Sequence, residues 1–220
     1  MASFFNLTLD TTAPAGLTLK LNNGAAYATS TSVTATIGLT DSVTTGYQMK
    51  IWGVAGAATE AEAAWATFVK SKAITLTTGD GQKTVSIKVR DDVGNETAAV
   101  TAKITLDTAV PVVTITGPDK SKISKVATFN VSAFSFSANA DFEEYKIKVV
   151  PSESSLENAG TQIPVTAGST NTSGTAGDYE KDTAINVTIN GADLEAASSG
   201  DGVKIVKVFV KNAAGTWSVA

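Results

Sequence analysis

Cysteine and histidine are both missing from this 220-residue chain. Without cysteine there is no disulfide framework, no thiol nucleophile and no thiolate metal site. Without histidine, the usual proton carrier near neutral pH and the commonest metal ligand are gone as well. Charge is sparse: Asp, Glu, Lys and Arg make up 17% of residues and the net charge is −4. Gripping phosphate needs a concentrated basic surface, whereas the lysines here alternate along apolar runs such as Lys146-Ile147-Lys148, which reads as a solvated face. Nucleic acid is therefore excluded as a partner. No apolar run approaches the roughly 18 residues that cross a membrane, so membrane insertion is not expected. Met1 leads into Ala2-Ser3-Phe4-Phe5-Asn6 without the basic segment, apolar core or cleavage site of a secretory leader. The expectation is a chain kept in a cytosol until something other than secretion moves it.

What the chain does have is Thr, Ala, Val, Gly and Ser, the composition of short strands with small surface residues. It also has one phrase written twice. Gly79-Asp80-Gly81-Gln82-Lys83-Thr84-Val85-Ser86-Ile87-Lys88-Val89-Arg90 returns as Gly200-Asp201-Gly202-Val203-Lys204-Ile205-Val206-Lys207-Val208-Phe209-Val210-Lys211. The openings pair as well: Asp10-Thr11-Thr12-Ala13-Pro14 with Asp107-Thr108-Ala109-Val110-Pro111. Two copies of one unit of roughly 100 residues sit in tandem, a common domain size. The division is 1–9 as a leading strand or arm, 10–107 as the first unit and 108–220 as the second. The openings are 97 positions apart and the Gly-Asp-Gly turns 121, so 24 extra residues entered the second unit. Their expected carrier is 151–182, whose Ala167-Gly168-Ser169-Thr170-Asn171-Thr172-Ser173-Gly174 core reads as a mobile polar surface loop.

Strict alternation marks the strands. Leu17, Leu19 and Leu21 lead, followed by Val33, Ala35 and Ile37, Met49 and Ile51, Ile74 and Leu76, Val85, Ile87 and Val89, and Val100 to Leu106. The second unit repeats the plan at Val112–Ile115, Ala127–Val131, Tyr145–Val149, Ile185–Ile189 and Val203–Val210. About seven short strands per unit, with turn signals between them, predict two tandem immunoglobulin-like β-sandwiches in an all-β chain. One segment breaks the pattern. Thr59 and Glu62 fit a capping box ahead of Trp65, Phe68 and Val69 at helical spacing, predicting a short helix in the first unit with Trp65 docked on the core.

The Asp-Thr-Thr-Ala-Pro opening, the Gly-Asp-Gly-x-Lys-Thr-Val hairpin and Arg90-Asp91-Asp92-Val93-Gly94-Asn95 together resemble the bacterial immunoglobulin-like repeats of phage virion proteins and secreted adhesins. The resemblance is good over 10–107 and weaker beyond, where Val110 and Asn212 depart from the pattern. It implies a non-enzymatic structural or decoration protein of a phage particle, whether capsid, tail or fibre, in contact with other virion proteins or copies of itself. The alternative it implies is a cell-surface adhesin fragment, extracellular, binding a host glycan or a protein. A fold of this kind hosts all of these roles, so the choice lies in sites.

Catalysis lacks its usual nucleophile–base pairs. The neighbouring carboxylates Glu143-Glu144 and Asp91-Asp92 would point to opposite faces of a strand and cannot flank one scissile bond. No cofactor is expected, calcium excepted: Asp91, Asp92, Asn95 and Glu96 gather oxygen ligands in one loop. The alternative for that loop is a turn shaped by Asp92 and Asn95 bonding to their own backbone. Exposed aromatics suited to a glycan are Trp52, Trp217 and Tyr179 at the edge of the insertion. The ends hold one more signal. Asn6-Leu7-Thr8-Leu9-Asp10 matches Lys103-Ile104-Thr105-Leu106-Asp107, the last strand of the first unit, while the second unit stops five residues after Gly215. A strand carrying Phe4, Phe5, Leu7 and Leu9 is thus expected to pair with an open sheet edge elsewhere, unless it folds back on its own domain.

Overall fold

The computed structural model describes residues 5–126, 131–175 and 177–219 and divides into two compact units, 1–108 and 109–220. Each is a β-sandwich. In the first unit the strands are β1 (Thr18–Leu21), β2 (Tyr27–Ala28), β3 (Ser32–Gly38), β4 (Gln48–Trp52), β5 (Ala66–Thr67), β6 (Ser71–Thr75), β7 (Gly81–Arg90) and β8 (Val100–Leu106). One sheet runs β1-β3-β6 and the other β2-β8-β7-β4-β5, with β2 and β8 parallel. Alternation decides which side chains meet. Val33, Ala35 and Ile37 of β3 face Val85, Ile87 and Val89 of β7 in one buried core, closed by Ile104 and Leu106 of β8. The last strand therefore fills the core as well as the sheet.

The second unit contains β9 (Val113–Thr116), β10 (Val131–Ala138), β11 (Glu144–Val150), β12 (Thr161–Gln162), β13 (Ser173–Gly174), β14 (Ile185–Asn190), α1 (Gly191–Ala197) and β15 (Ile205–Lys211). One sheet is β9-β10-β14. In the other, β15 pairs one edge of β11, while β12 and β13 share its second edge. The core combines Val187, Ile189, Val208 and Val210 with an aromatic cluster. In that cluster Phe136 meets Tyr145 edge-on at 5.1 Å and Phe142 stacks on Tyr179 at 4.9 Å. The Gly-Asp-Gly turns keep one geometry in both units: Gly79 and Gly81 have φ of 84° and 117°, Gly200 and Gly202 of 82° and 124°. Only glycine holds such angles without strain, which is why the repeat is written with two of them.

Three expectations are corrected. No helix forms over 59–69; among the described residues of the first unit the only helical element is a 3-10 turn, Asn22–Gly24. Glu62 does accept the Thr59 amide at 3.0 Å, but the box closes a single turn. Ala66 and Thr67 then pair with β4, because an open sheet edge satisfies their backbone along its length. Trp65 is half-buried there, with Arg90 4.3 Å and Lys50 5.3 Å from its ring, and it is not docked in the core. Among the described residues the α-helix is α1, in the second unit, where the Asn190 side chain accepts the Ala192 amide. The strand expected at 127–131 lies mostly outside the described residues, and the observed β10 runs onward from Val131 to Ala138.

The insertion is the third. Within 151–182 the stretch from Ile163 to Thr172 is anchored and not loose: Ile163, Ser169 and Thr172 are buried, and Tyr179 further on joins the aromatic cluster. Its anchor is Asp193, wholly buried in the first turn of α1. The Thr166 amide and hydroxyl and the Ala167 amide donate to Oδ1, and the Ala167 and Ser169 amides donate to Oδ2. Burial pushes the Asp193 carboxyl up, yet these donors outweigh it and hold the group below its ordinary 3.8. Asn190 adds a bond from Nδ2 to the Ala167 carbonyl.

Candidate functional site: an open strand edge above an apolar groove

Val210 of β15 turns its amide and carbonyl away from β11, to the Ser218 hydroxyl at 3.1 Å and the Ser218 amide at 2.8 Å. Backbone direction alternates along a strand, so Val208 and Val206 turn their polar groups the same way. In the first unit the corresponding edge of β7 is taken by β8, with Gly81 opposite Leu106, Lys83 opposite Ile104 and Val85 opposite Ala102. In the second unit, β11 is the only strand that pairs with β15 among the described residues.

The core beside that edge is open. Beneath the edge lies a groove of about 580 Å³, lined by Ile115, Ile123, Phe134, Ile189, Leu194 and Val206, with Lys120, Lys122 and Lys204 around it. Ile115 sits directly opposite the buried Phe136 across β9 and β10, on the inner face of its sheet, yet it is 44% exposed. Leu19, on the inner face of β1 in the first unit, is 8% exposed. Val85 is fully buried, whereas Val206 is only half-buried. An inner face left open in this way costs about 25 cal/mol for each Å² of apolar surface kept in water.

The N-terminal segment is the converse case. Phe5, Leu7 and Leu9 are each about 85% exposed and belong to no strand. Their alternate spacing would put all three on one face of an extended strand. Phe4 lies outside the described residues.

The acidic loop is built as a turn. The Asp91 Oδ1 accepts the amides of Val93, Gly94 and Asn95 at 2.7–3.0 Å, and Oδ2 accepts Asn95 Nδ2 at 2.8 Å. The same Asn95 amide group reaches back to the carbonyls of Asp10 and Thr12, tying the unit's opening to its last hairpin. Burial pushes the Asp91 carboxyl up, and the Asn95 side chain together with the three amides overrides it, so the group sits below 3.8. Asp92, the residue expected to shape the turn, is exposed, and Glu96 pairs with Lys88 at 3.8 Å. Among the described residues no three acidic side chains converge as a cation would need. Asp91 is ringed by donors, so added calcium is expected to leave Tm unchanged. A rise with calcium in a thermal melt would reverse that assignment.

The second unit rebuilds this device from other residues. Asn212 stands where Asp91 does: its Oδ1 accepts the Thr216 amide at 2.8 Å, and its Nδ2 donates to the Ala109 carbonyl at 3.2 Å. Ser218 likewise replaces Thr97, whose hydroxyl accepts the Val89 amide. The departure at Asn212 keeps the clamp and drops the charge.

The three aromatics expected to meet a glycan are placed differently from one another. Trp52 is half-buried on β4, opposite Ser86. Tyr179 is half-buried, stacked on Phe142 at the margin of the core. The Trp217 ring lies under the ammonium groups of Lys146 at 4.6 Å and Lys211 at 5.3 Å. Glu144 also pairs with Lys211 and Lys146, so this corner of the second unit is a closed charge–aromatic cluster.

No family model matches the chain, and no curated protein matches it. Solved structures do. The fibronectin(III)-like modules of Clostridium thermocellum CbhA align at TM-score 0.47 and 8% identity, over 92% of this chain and 90% of theirs. Chitinase ChiA74 from Bacillus thuringiensis aligns at 0.31 and 14%, over 92% of this chain and 30% of its own. Dimeric latent PorU from Porphyromonas gingivalis aligns at 0.30 and 13%, over 97% and 20% respectively. The class of this protein, two immunoglobulin-like sandwiches in tandem, rests on its own sheets and their registers.

Proposed function

We propose that this protein is a non-enzymatic structural module that works by strand-edge and loop contacts, and that its setting is a phage particle. The carrying observation is the open edge of β15 over an unfilled apolar groove, a surface suited to backbone pairing and not to turnover. The buried carboxylates support the same reading, because Asp91 and Asp193 spend their oxygens on backbone amides and hydroxyls of their own unit. The phage setting follows the resemblance of the opening and hairpin motifs. The other setting that resemblance allows, a cell-surface adhesin fragment, would use loops instead of edges. Gold-labelled antibody raised against the chain tests the choice on lysates and intact cells of the source. Label on released particles is expected. Label confined to the cell envelope, or to neither, would overturn the particle reading.

A further inference from the structure

We propose that the open edge of β15 is completed by residues 5–9 of a second copy of this chain, so that copies join head to tail by strand addition. This deepens the structural-module reading by naming the partner. The two remain separable, since self-assembly of the purified chain can fail while the chain is still found on particles.

The first unit supplies the register. Leu106, Ile104 and Ala102 stand opposite Gly81, Lys83 and Val85 there. The matching residues Leu9, Leu7 and Phe5 would stand opposite Gly202, Lys204 and Val206 of the acceptor. Alternation then points Phe5, Leu7 and Leu9 together into the groove, where Ile104 and Leu106 are buried in the first unit. Asn6 and Thr8 would face outward, beside Ile205 and Val203. The junction beyond the strand repeats too. The Thr108 amide and hydroxyl both donate to Asp80 of the Gly-Asp-Gly turn, at 3.0 and 2.8 Å. Thr11 and Asp201 are the equivalent pair between copies. After that threonine, the Ala109 carbonyl is held by Asn212 and the Thr12 carbonyl by Asn95. One copy carries an exposed apolar segment with the sequence of a final strand, and the same chain carries the edge and groove that lack one.

A donor at one end and an acceptor at the other make a heterologous contact, which builds open chains or rings. Native mass spectrometry of the 220-residue chain is expected to show a ladder of dimers, trimers and higher species that lengthens with concentration. The variant Leu7→Lys/Leu9→Lys changes two exposed side chains, so its melting temperature should match the parent while association weakens about a hundredfold or more. Because the natural chain has no cysteine, Thr8→Cys/Val203→Cys gives a clean register test. Oxidation should lock it into a covalent ladder, while the off-register pair Thr8→Cys/Lys207→Cys should not. A monomer at every concentration overturns the proposal, even if residues 5–9 prove protected from hydrogen exchange, since the strand would then lie on its own chain. A ladder that persists in Leu7→Lys/Leu9→Lys, or equal cross-linking of both cysteine pairs, overturns it as well.

Discussion

Replacing Asp193 by alanine is expected to destabilise the second unit by about 3 kcal/mol or more and to release the insertion from the sheet. The carboxylate is fully buried and takes hydrogen bonds from Thr166, Ala167 and Ser169. Removing it leaves three backbone amides and one hydroxyl facing a void. Bonds to a charged acceptor are individually worth about 1.5–3 kcal/mol, and orphaned buried donors add their desolvation cost. Asp193→Asn keeps the shape and one carbonyl, but its NH₂ faces the Ala167 or Ser169 amide, so an intermediate loss of about 2 kcal/mol is expected. Urea unfolding measures the total. Hydrogen exchange locates it: amides between Ile163 and Thr172 should lose protection, while β7 of the first unit keeps its own. Loss spread evenly over both units would show that Asp193 is not a local anchor. The pH dependence has a definite sign. The folded-state pKa lies below 3.8, under its value in the unfolded chain. The stabilisation is therefore present above about pH 4 and is lost as pH falls through the folded value. Asp193→Asn should flatten that acid limb for the second unit.

Much of this architecture was legible because local rules and the repeat agreed. The alternation of Val33, Ala35 and Ile37, and of Val85, Ile87 and Val89, faithfully reported the inner faces of β3 and β7. The Gly-Asp-Gly turns announced their positive φ angles. The match of residues 6–10 to 103–107 marks a segment with the sequence of a final strand; in the structure residues 5–9 are exposed and belong to no strand. What failed was decided at long range. The Thr59–Glu62 box formed, but a box specifies where a helix would begin and not whether a neighbouring edge takes the next residues. Polar composition between 151 and 182 suggested mobility because the partner that orders it, Asp193, lies beyond β14 in sequence and had been given no role. The signal for α1 was present in Asn190 followed by Asp193, Leu194 and Ala196-Ala197. From sequence, the Asp91 loop is compatible with either an ion site or a turn. The side chain that settles its geometry is Asp91 itself, with Asn95 as the link to Asp10 and Thr12.

Asp91→Ala is expected to cost the first unit about 3 kcal/mol, since three amides and the Asn95 side chain converge on that carboxylate. The second unit shows how the site tolerates neutrality, and that makes a sharper test. Asn212 keeps an acceptor toward the loop and uses its own Nδ2 to hold the chain's opening at Ala109, with Thr216 at the position of Asn95. Asp91→Asn alone sets its new NH₂ against Asn95 Nδ2, two donors facing one another, and should cost about 1–2 kcal/mol. Adding Asn95→Thr removes the clash and frees the introduced side-chain NH₂ to reach the Asp10 or Thr12 carbonyl. The double variant is therefore expected to be more stable than Asp91→Asn, although Asn95→Thr by itself destabilises. Such a reversal of sign is the signature of two side chains acting as one clamp. Because Asp91 is held below 3.8 when folded, the parent should lose this contribution as pH drops below about 4, whereas the double variant should keep its clamp in acid. Urea midpoints for the parent, both single variants and the double variant, taken at about pH 7 and again near pH 3, complete the cycle. Simple additivity at neutral pH, or an unchanged acid limb in the double variant, would mean that the two units close their openings by different means.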